Sequence, residues 1–262
     1  MQDLTITAIQ PFLHWGDRER NLAMFDEALQ SASPADLVLL PEMFNTGFMV
    51  QPGPVAESMD GPTMRWLRNK ALSINTVVVG SLIILVNGKY YNRLIWMRPD
   101  GSHDYYDKHH LFTMGGEHEH FARGETQPQF EIKGWKVRPV ICYDLRFPAW
   151  CRNTYENGRY GYDLLVCVAS WPEVRSVAWK HFLVARAVEN QSYVAAVNRV
   201  GKDGNGVKHS GDSAFVDPQG IVVETFPPDI PAVHTVTLTA HGLEAYRRAF
   251  RVGPDWDAFK FV

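Results

Sequence analysis

Residues Leu4 to Gln10 alternate apolar and polar side chains, the period-two pattern of a half-buried strand. A helix follows, with Asp17 placed to cap it and Leu22, Phe25, Ala28 and Leu29 on one face. Leu37-Val38-Leu39-Leu40 is a short continuous apolar run, which predicts a strand covered on both faces. It stops at Pro41-Glu42. Pro62 opens a second helix that turns Met64, Leu67 and Ala71 inward. Thr76 to Val86 reads as a β-branched strand. Asn87-Gly88 signals a hairpin, and Lys89 to Met97 returns. After a turn at Pro99-Asp100-Gly101, a polar strand runs to Asp107-Lys108-His109-His110.

Residues 113–128 break this pattern. They have no periodicity and hold Gly115, Gly116, Gly124 and Pro128, so a long loop is expected. Long loops inside compact domains tend to be functional. Gln129 to Ile132 and Lys136 to Cys142 form a hairpin through Gly134. Its second arm, Val137 to Ile141, is a buried strand that ends at Cys142, and a helix is expected from Pro148. Tyr162 to Val168 is another buried strand. Ser176 caps a helix bearing Val177, Phe182, Ala185 and Val188. Ser192 to Asn198 is a strand, two or three more fill Gly211 to Leu238, and His241 to Phe250 is helical before a tail at about 250–262. The order is β-α-β-α-β-β, a loop, then β-α-β-α-β-β-β, so the second half repeats the first. No Gly-, Pro- or Ser-rich linker separates the halves. The expectation is one α/β domain over 1–262, with two packed sheets and outer helices.

A hydrophobic fraction of 45% over 262 residues supports a large core. The net charge of −3 gives no electrostatic case for a nucleic-acid or anionic-membrane partner. No apolar run approaches the ~20 residues of a membrane helix. Met1-Gln2-Asp3-Leu4 lacks a signal pattern, so a cytoplasmic protein is expected. The three cysteines, Cys142, Cys151 and Cys167, form no CxxC pair. That argues against a disulfide framework or a thiolate zinc site and fits a reducing compartment.

Three reactive groups fall where strands end: Glu42, Lys108 and Cys142. In layered α/β folds, strand ends are where sites are built. Cys142 alone is better read as a buried small hydrophobe. Glu42 and Lys108, however, are charges set among large apolar neighbours, in Leu-Leu-Pro-Glu-Met-Phe and Tyr-Asp-Lys-His-His-Leu-Phe. A thiol needs a base to act as a nucleophile. A carboxylate in an apolar pocket can accept and return that proton. An ammonium, with the backbone N–H of Tyr143, can hold the oxyanion of a tetrahedral intermediate. The set is complete for acyl transfer with neither metal nor cofactor. His109, His110, His118 and His120 show no spaced ligand pattern, so a metal is not expected. Arg146 is read as paired with Asp144 or another structural carboxylate rather than with substrate. Trp171 and Arg175 follow a buried strand and suit a pocket wall and a carboxylate clamp. Gly201 to Gly206 is read as a flexible connection. Cys151 and Cys167 are read as core.

These segments resemble the nitrilase superfamily of carbon–nitrogen hydrolases. Its Glu-Lys-Cys triad matches Glu42 in Leu39-Leu40-Pro41-Glu42, Lys108 in Asp107-Lys108-His109-His110-Leu111, and Cys142 in Ile141-Cys142-Tyr143-Asp144-Leu145-Arg146-Phe147-Pro148. The resemblance implies a four-layer α-β-β-α sandwich of two pseudo-symmetric halves, dimerised through a face bearing helices. Pro41-Glu42-Met43-Phe44-Asn45-Thr46-Gly47-Phe48, Ala169-Ser170-Trp171-Pro172 and Ala185-Arg186-Ala187-Val188-Glu189-Asn190 look most like the ω-amidase branch. That implies hydrolysis of the distal amide of α-ketoglutaramate or a related 2-oxo monoamide. It also implies a second glutamate between the Lys and the Cys, matched to Glu117 with Glu119 and Glu125 as competitors. Phe44 joins Trp171 and Arg175 as an implied substrate contact. Other reactions on the same triad, carbamoyl-amine hydrolysis and nitrile hydrolysis, stay open, as does a non-enzymatic binding role.

Overall fold

The computed structural model describes residues 1–262 apart from 31, 33, 259, 261 and 262. The first half contains β1 (Leu4–Gln10), α1 (Arg18–Gln30), β2 (Leu37–Leu39), α2 (Pro62–Ile74), β3 (Val77–Val86), β4 (Lys89–Met97) and β5 (His103–Asp107). A short α3 (Glu117–His120) lies in the expected long loop. Then come β6 (Phe130–Ile132), β7 (Trp135–Ile141), a one-turn α4 (Pro148–Cys151), the small hairpin β8 (Tyr155–Glu156) and β9 (Arg159–Tyr160), and β10 (Leu164–Val168). α5 (Ser176–Asn190), β11 (Tyr193–Val197), β12 (Val200–Lys202), β13 (Lys208–Ser210), β14 (Ala214–Val216), β15 (Val222–Thr225), β16 (Ala232–Leu238) and α6 (Ala240–Ala249) complete it. No helix among the described residues is long and apolar enough to cross a membrane.

Two six-stranded sheets carry the repeat, in the orders β16-β1-β2-β3-β4-β5 and β6-β7-β10-β11-β14-β15. In each, three parallel strands (β1, β2, β3 and β7, β10, β11) are flanked by antiparallel ones. The sheets pack face to face through Ala8, Leu39, Val79 and Trp96 of the first and Val137, Val166, Ala195 and Phe215 of the second. The other face of the first sheet is covered by α1 and α2 through Phe25, Met64, Leu67 and Ala71. α5 covers the second sheet with Trp179, Leu183 and Ala187. This is the α-β-β-α sandwich that the resemblance implies.

Local chemistry explains most boundaries. Asp17 Oδ1 accepts the Arg20 N–H at 3.1 Å and caps α1. Pro62 opens α2, and Asn75 closes it in the left-handed conformation at φ 50°. Asn87 and Gly88 turn the β3–β4 hairpin at φ 50° and 75°. Three expectations are corrected. The chain after Cys142 does not wait for Pro148. It winds at once into a 3-10 turn, Cys142–Arg146, and the helix at Pro148 lasts only to Cys151. Ser176 starts α5 without capping it, and Val177, Ala185 and Val188 face outward. The inward stripe is Trp179, Leu183, Arg186, Ala187 and Asn190. Two of these are polar, and each is satisfied: Arg186 donates to Leu145 O at 2.7 Å, and Asn190 Oδ1 accepts the Asn153 N–H at 2.8 Å. Gly201 to Gly206 is not a loose connection: Gly201 and Lys202 pair within β12, and Asp203 to Gly206 lie in the turn of the β12–β13 hairpin. Asp203 Oδ1 knits it by accepting the N–H groups of Asn205 at 2.8 Å and Val207 at 2.9 Å. The expected tail contains a 3-10 turn at Gly253–Asp255, and residues 259, 261 and 262 lie outside the described residues.

Candidate active site

The C-terminal ends of β2, β5 and β7 deliver three side chains to one place. Glu42 follows β2 and is completely buried, Lys108 follows β5 and is 1% exposed, and Glu117 on α3 is completely buried. Charges this deep are tolerable only when paired and hydrogen-bonded. Lys108 Nζ donates to Glu42 Oε1 at 2.8 Å and to Glu117 Oε2 at 2.9 Å. Glu42 Oε2 accepts the Ser170 N–H at 2.9 Å, and Glu117 Oε2 accepts the Phe112 N–H at 2.6 Å. Glu119 and Glu125 are exposed, so Glu117 is the loop glutamate that meets Lys108.

Cys142 follows β7 with φ at 45°, a left-handed conformation that costs a non-glycine residue energy. Asp144 holds it there. Its Oδ2 accepts the Ile141 N–H at 3.0 Å and the Tyr106 hydroxyl at 2.7 Å, and its Oδ1 accepts the His110 N–H at 2.8 Å. The strain turns the thiol away from the core and into a cavity of about 180 Å³. Glu42, Lys108, Cys142, Tyr143, Trp171 and Arg175 all line it, with Phe48, Phe112 and Arg146. It is smaller than the ~300–1,000 Å³ of sites that take drug-sized ligands, so it suits a small molecule. Tyr143 sits in the first turn of the 3-10 segment, where N–H groups have no intrahelical acceptor.

Residues 5–248 match the family model described as carbon–nitrogen hydrolase. The chain belongs to the carbon–nitrogen hydrolase family. It is 38% identical over 260 residues to an omega-amidase of Escherichia coli (strain K12), covering 99% of each chain. It is 32% identical over 223 residues to a 2-oxoglutaramate amidase of Bacillus subtilis, covering 84% of this chain and 85% of the other. A solved carbon–nitrogen hydrolase superfamily protein of Xanthomonas campestris, which carries an arsenic adduct in its active site, superposes with a TM-score of 0.96 at 41% identity over 100% of both chains. The nitrilase-superfamily resemblance therefore holds, and the chain is a hydrolase of carbon–nitrogen bonds.

The electrostatics of this hydrolase follow from burial. Burial alone would push the Lys108 ammonium down, but Glu117 and Glu42 overcome that and hold it well above its usual value. Burial raises Glu117, although Lys108 opposes the shift. Burial, followed by the nearby Glu42 carboxylate, raises the Cys142 thiol well above its usual range. The resting sulfur is therefore S–H, and a nucleophile forms only when its proton is taken.

Two sequence expectations fail here. Phe44 does not face the cavity. It is fully buried behind the first sheet, edge-on to Phe25 at 5.5 Å, and Phe48 from the same segment takes its place. Lys108 Nζ lies 5.2 Å from the Phe48 ring centroid. Arg146 does not pair with Asp144, which is already occupied. Its guanidinium lies over Trp171 at 5.0 Å and Phe182 at 5.3 Å, with no carboxylate partner among the described residues. Arg175 lies over Phe112 at 5.3 Å and has no carboxylate partner among them either. His109 stacks on Trp150 and His110 on Phe147, with ring centroids 3.6 and 3.7 Å apart. No group of three or more His, Cys, Asp or Glu among the described residues is arranged to hold a metal.

Sequence reasoning missed three residues of the site. Asn92 on β4 donates to both carboxylates. Ser170, from a quoted motif, serves through its backbone N–H. His209 on β13 lines the cavity with Nε2 3.3 Å from Ser170 Oγ. Burial, with Arg199 nearby, pushes His209 down to about 4, so it is neutral.

Proposed function

We propose that the chain is an amidase that hydrolyses the distal amide of a 2-oxo dicarboxylic acid monoamide such as α-ketoglutaramate, giving the dicarboxylate and ammonia. The observation that carries this reading is the pair Arg146 and Arg175. Both line a small cavity, neither has a carboxylate partner among the described residues, and the thiol lies in the same cavity. A guanidinium left without a counter-ion beside a nucleophile suits a substrate with a carboxylate at its far end. The names of the Escherichia coli and Bacillus subtilis relatives point the same way.

The proposed chemistry uses the groups that line the cavity. Cys142 Sγ attacks the amide carbon while Glu42 takes the thiol proton. The carbonyl oxygen becomes an oxyanion beside the Lys108 ammonium and the Tyr143 N–H. Glu42 returns the proton to the leaving nitrogen, and ammonia departs from an acyl-thioester. Water then attacks the thioester with Glu42 as base, and the proton goes back to sulfur. Glu117 holds Lys108 in place and keeps it charged.

Ammonia release should be found with α-ketoglutaramate. It should exceed release from N-carbamoyl amines, which would also give carbon dioxide, and from nitriles. Arg175→Gln and Arg146→Gln should raise KM for α-ketoglutaramate by about tenfold or more, the scale of a lost charge-assisted hydrogen bond, with kcat little changed. Faster turnover of a carbamoyl amine or nitrile would replace the substrate assignment. Unchanged KM in both variants would remove the clamp.

Val177 and Val188 of α5 stay exposed, as do Ile221 to Val223 at the β15 sheet edge. An exposed apolar edge is a liability unless covered. We propose that a second copy covers this face. Light scattering should give twice the 29.8 kDa chain mass, and a monomer at micromolar concentration would contradict it.

A further inference from the structure

The buried charge cluster contains two carboxylates and one ammonium, so with both acids ionised it carries an uncompensated negative charge. All four carboxylate oxygens nevertheless face N–H donors. Glu42 Oε1 accepts from Lys108 at 2.8 Å and from Asn92 Nδ2 at 2.8 Å, and Glu42 Oε2 accepts from Ser170. Glu117 Oε1 accepts from Lys108 at 3.2 Å and from Asn92 Nδ2 at 3.1 Å, and Glu117 Oε2 accepts from Lys108 and Phe112. Each of the four oxygens thus has at least one N–H donor, the company a carboxylate requires. The surroundings are built for two carboxylates.

Asn92 is the second donor in that arrangement. Its amide NH₂ bridges Glu42 Oε1 and Glu117 Oε1, as the Lys108 ammonium also does. Its backbone carbonyl also accepts the Lys108 N–H at 2.9 Å. The amide orientation is forced, because the flipped form would set Oδ1 against both carboxylate oxygens. The cost is visible. Asn92 is completely buried and its Oδ1 has no hydrogen-bond partner among the described residues. Committing both amide hydrogens to the carboxylates leaves that acceptor unmade, at a cost the two charge-assisted bonds offset.

We propose that Asn92 is a positioning residue: its NH₂ group holds Glu42 and Glu117 side by side around the one Lys108 ammonium, and so sets the acid limb of Cys142 reactivity. This rests on the reading of Glu42 as the base. The charged and titratable groups facing the cluster are Glu42 after β2, Lys108 after β5, Glu117 on α3 and Cys142 after β7, with neutral His209 behind Ser170. Arg146 and Arg175 face the cavity rather than the carboxylates. Removing a neutral donor from an anion disfavours the anion, so the acid limb of activity must move to higher pH.

The test is the rate of Cys142 alkylation by iodoacetamide as a function of pH, read on the Cys142 peptide by mass spectrometry. It needs no substrate, so it stands even if α-ketoglutaramate proves to be the wrong amide. Wild type is compared with Asn92→Leu, which removes the donors, and Asn92→Asp, which keeps the shape and sets oxygen where the donors were. The acid limb belongs to the Glu42–Cys142 pair as a unit. It should move up in Asn92→Leu and further in Asn92→Asp. The loss should be about tenfold to a hundredfold on the acid side, the scale of a lost hydrogen bond to a charged group, with rates converging in alkali. If Asn92→Leu does not fold, the isosteric Asn92→Asp carries the test alone. An unmoved limb, or an equal loss at every pH, would overturn the proposal.

Discussion

Replacing Cys142 with alanine should lower ammonia release from α-ketoglutaramate by about a millionfold, the scale seen when a covalent nucleophile is deleted. The protein should remain folded, because the substitution deletes a single sulfur atom from a residue at the edge of the core that also lines the cavity. No other thiol can take over. Cys151 and Cys167 are completely buried, and burial pushes Cys151 up to about 12 and Cys167 well above its usual range. Asp144 should still form the elbow, since its partners are the Ile141 N–H, the Tyr106 hydroxyl and the His110 N–H, none of which involves sulfur. The check is ammonia release beside a circular dichroism spectrum. Activity within tenfold of wild type in a folded Cys142→Ala protein would remove Cys142 from the mechanism.

Glu42→Gln should cost about a hundredfold to ten-thousandfold in kcat, the range of a deleted general base. The substitution keeps the shape. Lys108 stays charged, because Glu117 still accepts from it at 2.9 and 3.2 Å. What is lost is the acceptor for the S–H proton of a thiol that burial holds protonated. The loss should fall on both halves of the reaction, since the same carboxylate serves thiol attack and water attack. Pre-steady-state ammonia release should therefore be slowed, and any acyl-thioester formed should persist longer than in wild type. An unchanged kcat would mean that the thiol loses its proton elsewhere.

The sequence discloses the sheets because alternation and continuous apolar runs report strand faces directly. Leu37 and Leu39 do enter the core between the sheets, while Val38 faces the helices. Glu42 and Cys142 are legible because they are reactive groups that stop apolar strands, and Lys108 because it is a charge set among large apolar neighbours at the end of a polar strand. Asn92 is not legible for the opposite reason: it is neutral, it lies inside a strand, and its meaning comes from residues 50 positions before it and 25 after it. Phe44 and Phe48 are not separable by pattern. Positive φ at Met43 and at Gly47 (47° and 79°) turns the chain, and the turn decides which ring meets the cavity. The inward face of α5 is hidden by Arg186 and Asn190, which hydropathy assigns to solvent and hydrogen bonding retains inside. The β12–β13 hairpin is hidden because its order comes from Asp203 bonding its own turn rather than from any apolar run.

The most direct test of the account is mass spectrometry of Glu42→Gln protein, acid-quenched shortly after mixing with α-ketoglutaramate and then digested. The account predicts that the Cys142 peptide gains the mass of the substrate less ammonia, and that the Cys151 and Cys167 peptides are unchanged. Ammonia release with no adduct at Cys142, or an adduct on another residue, would contradict the acyl-thioester route.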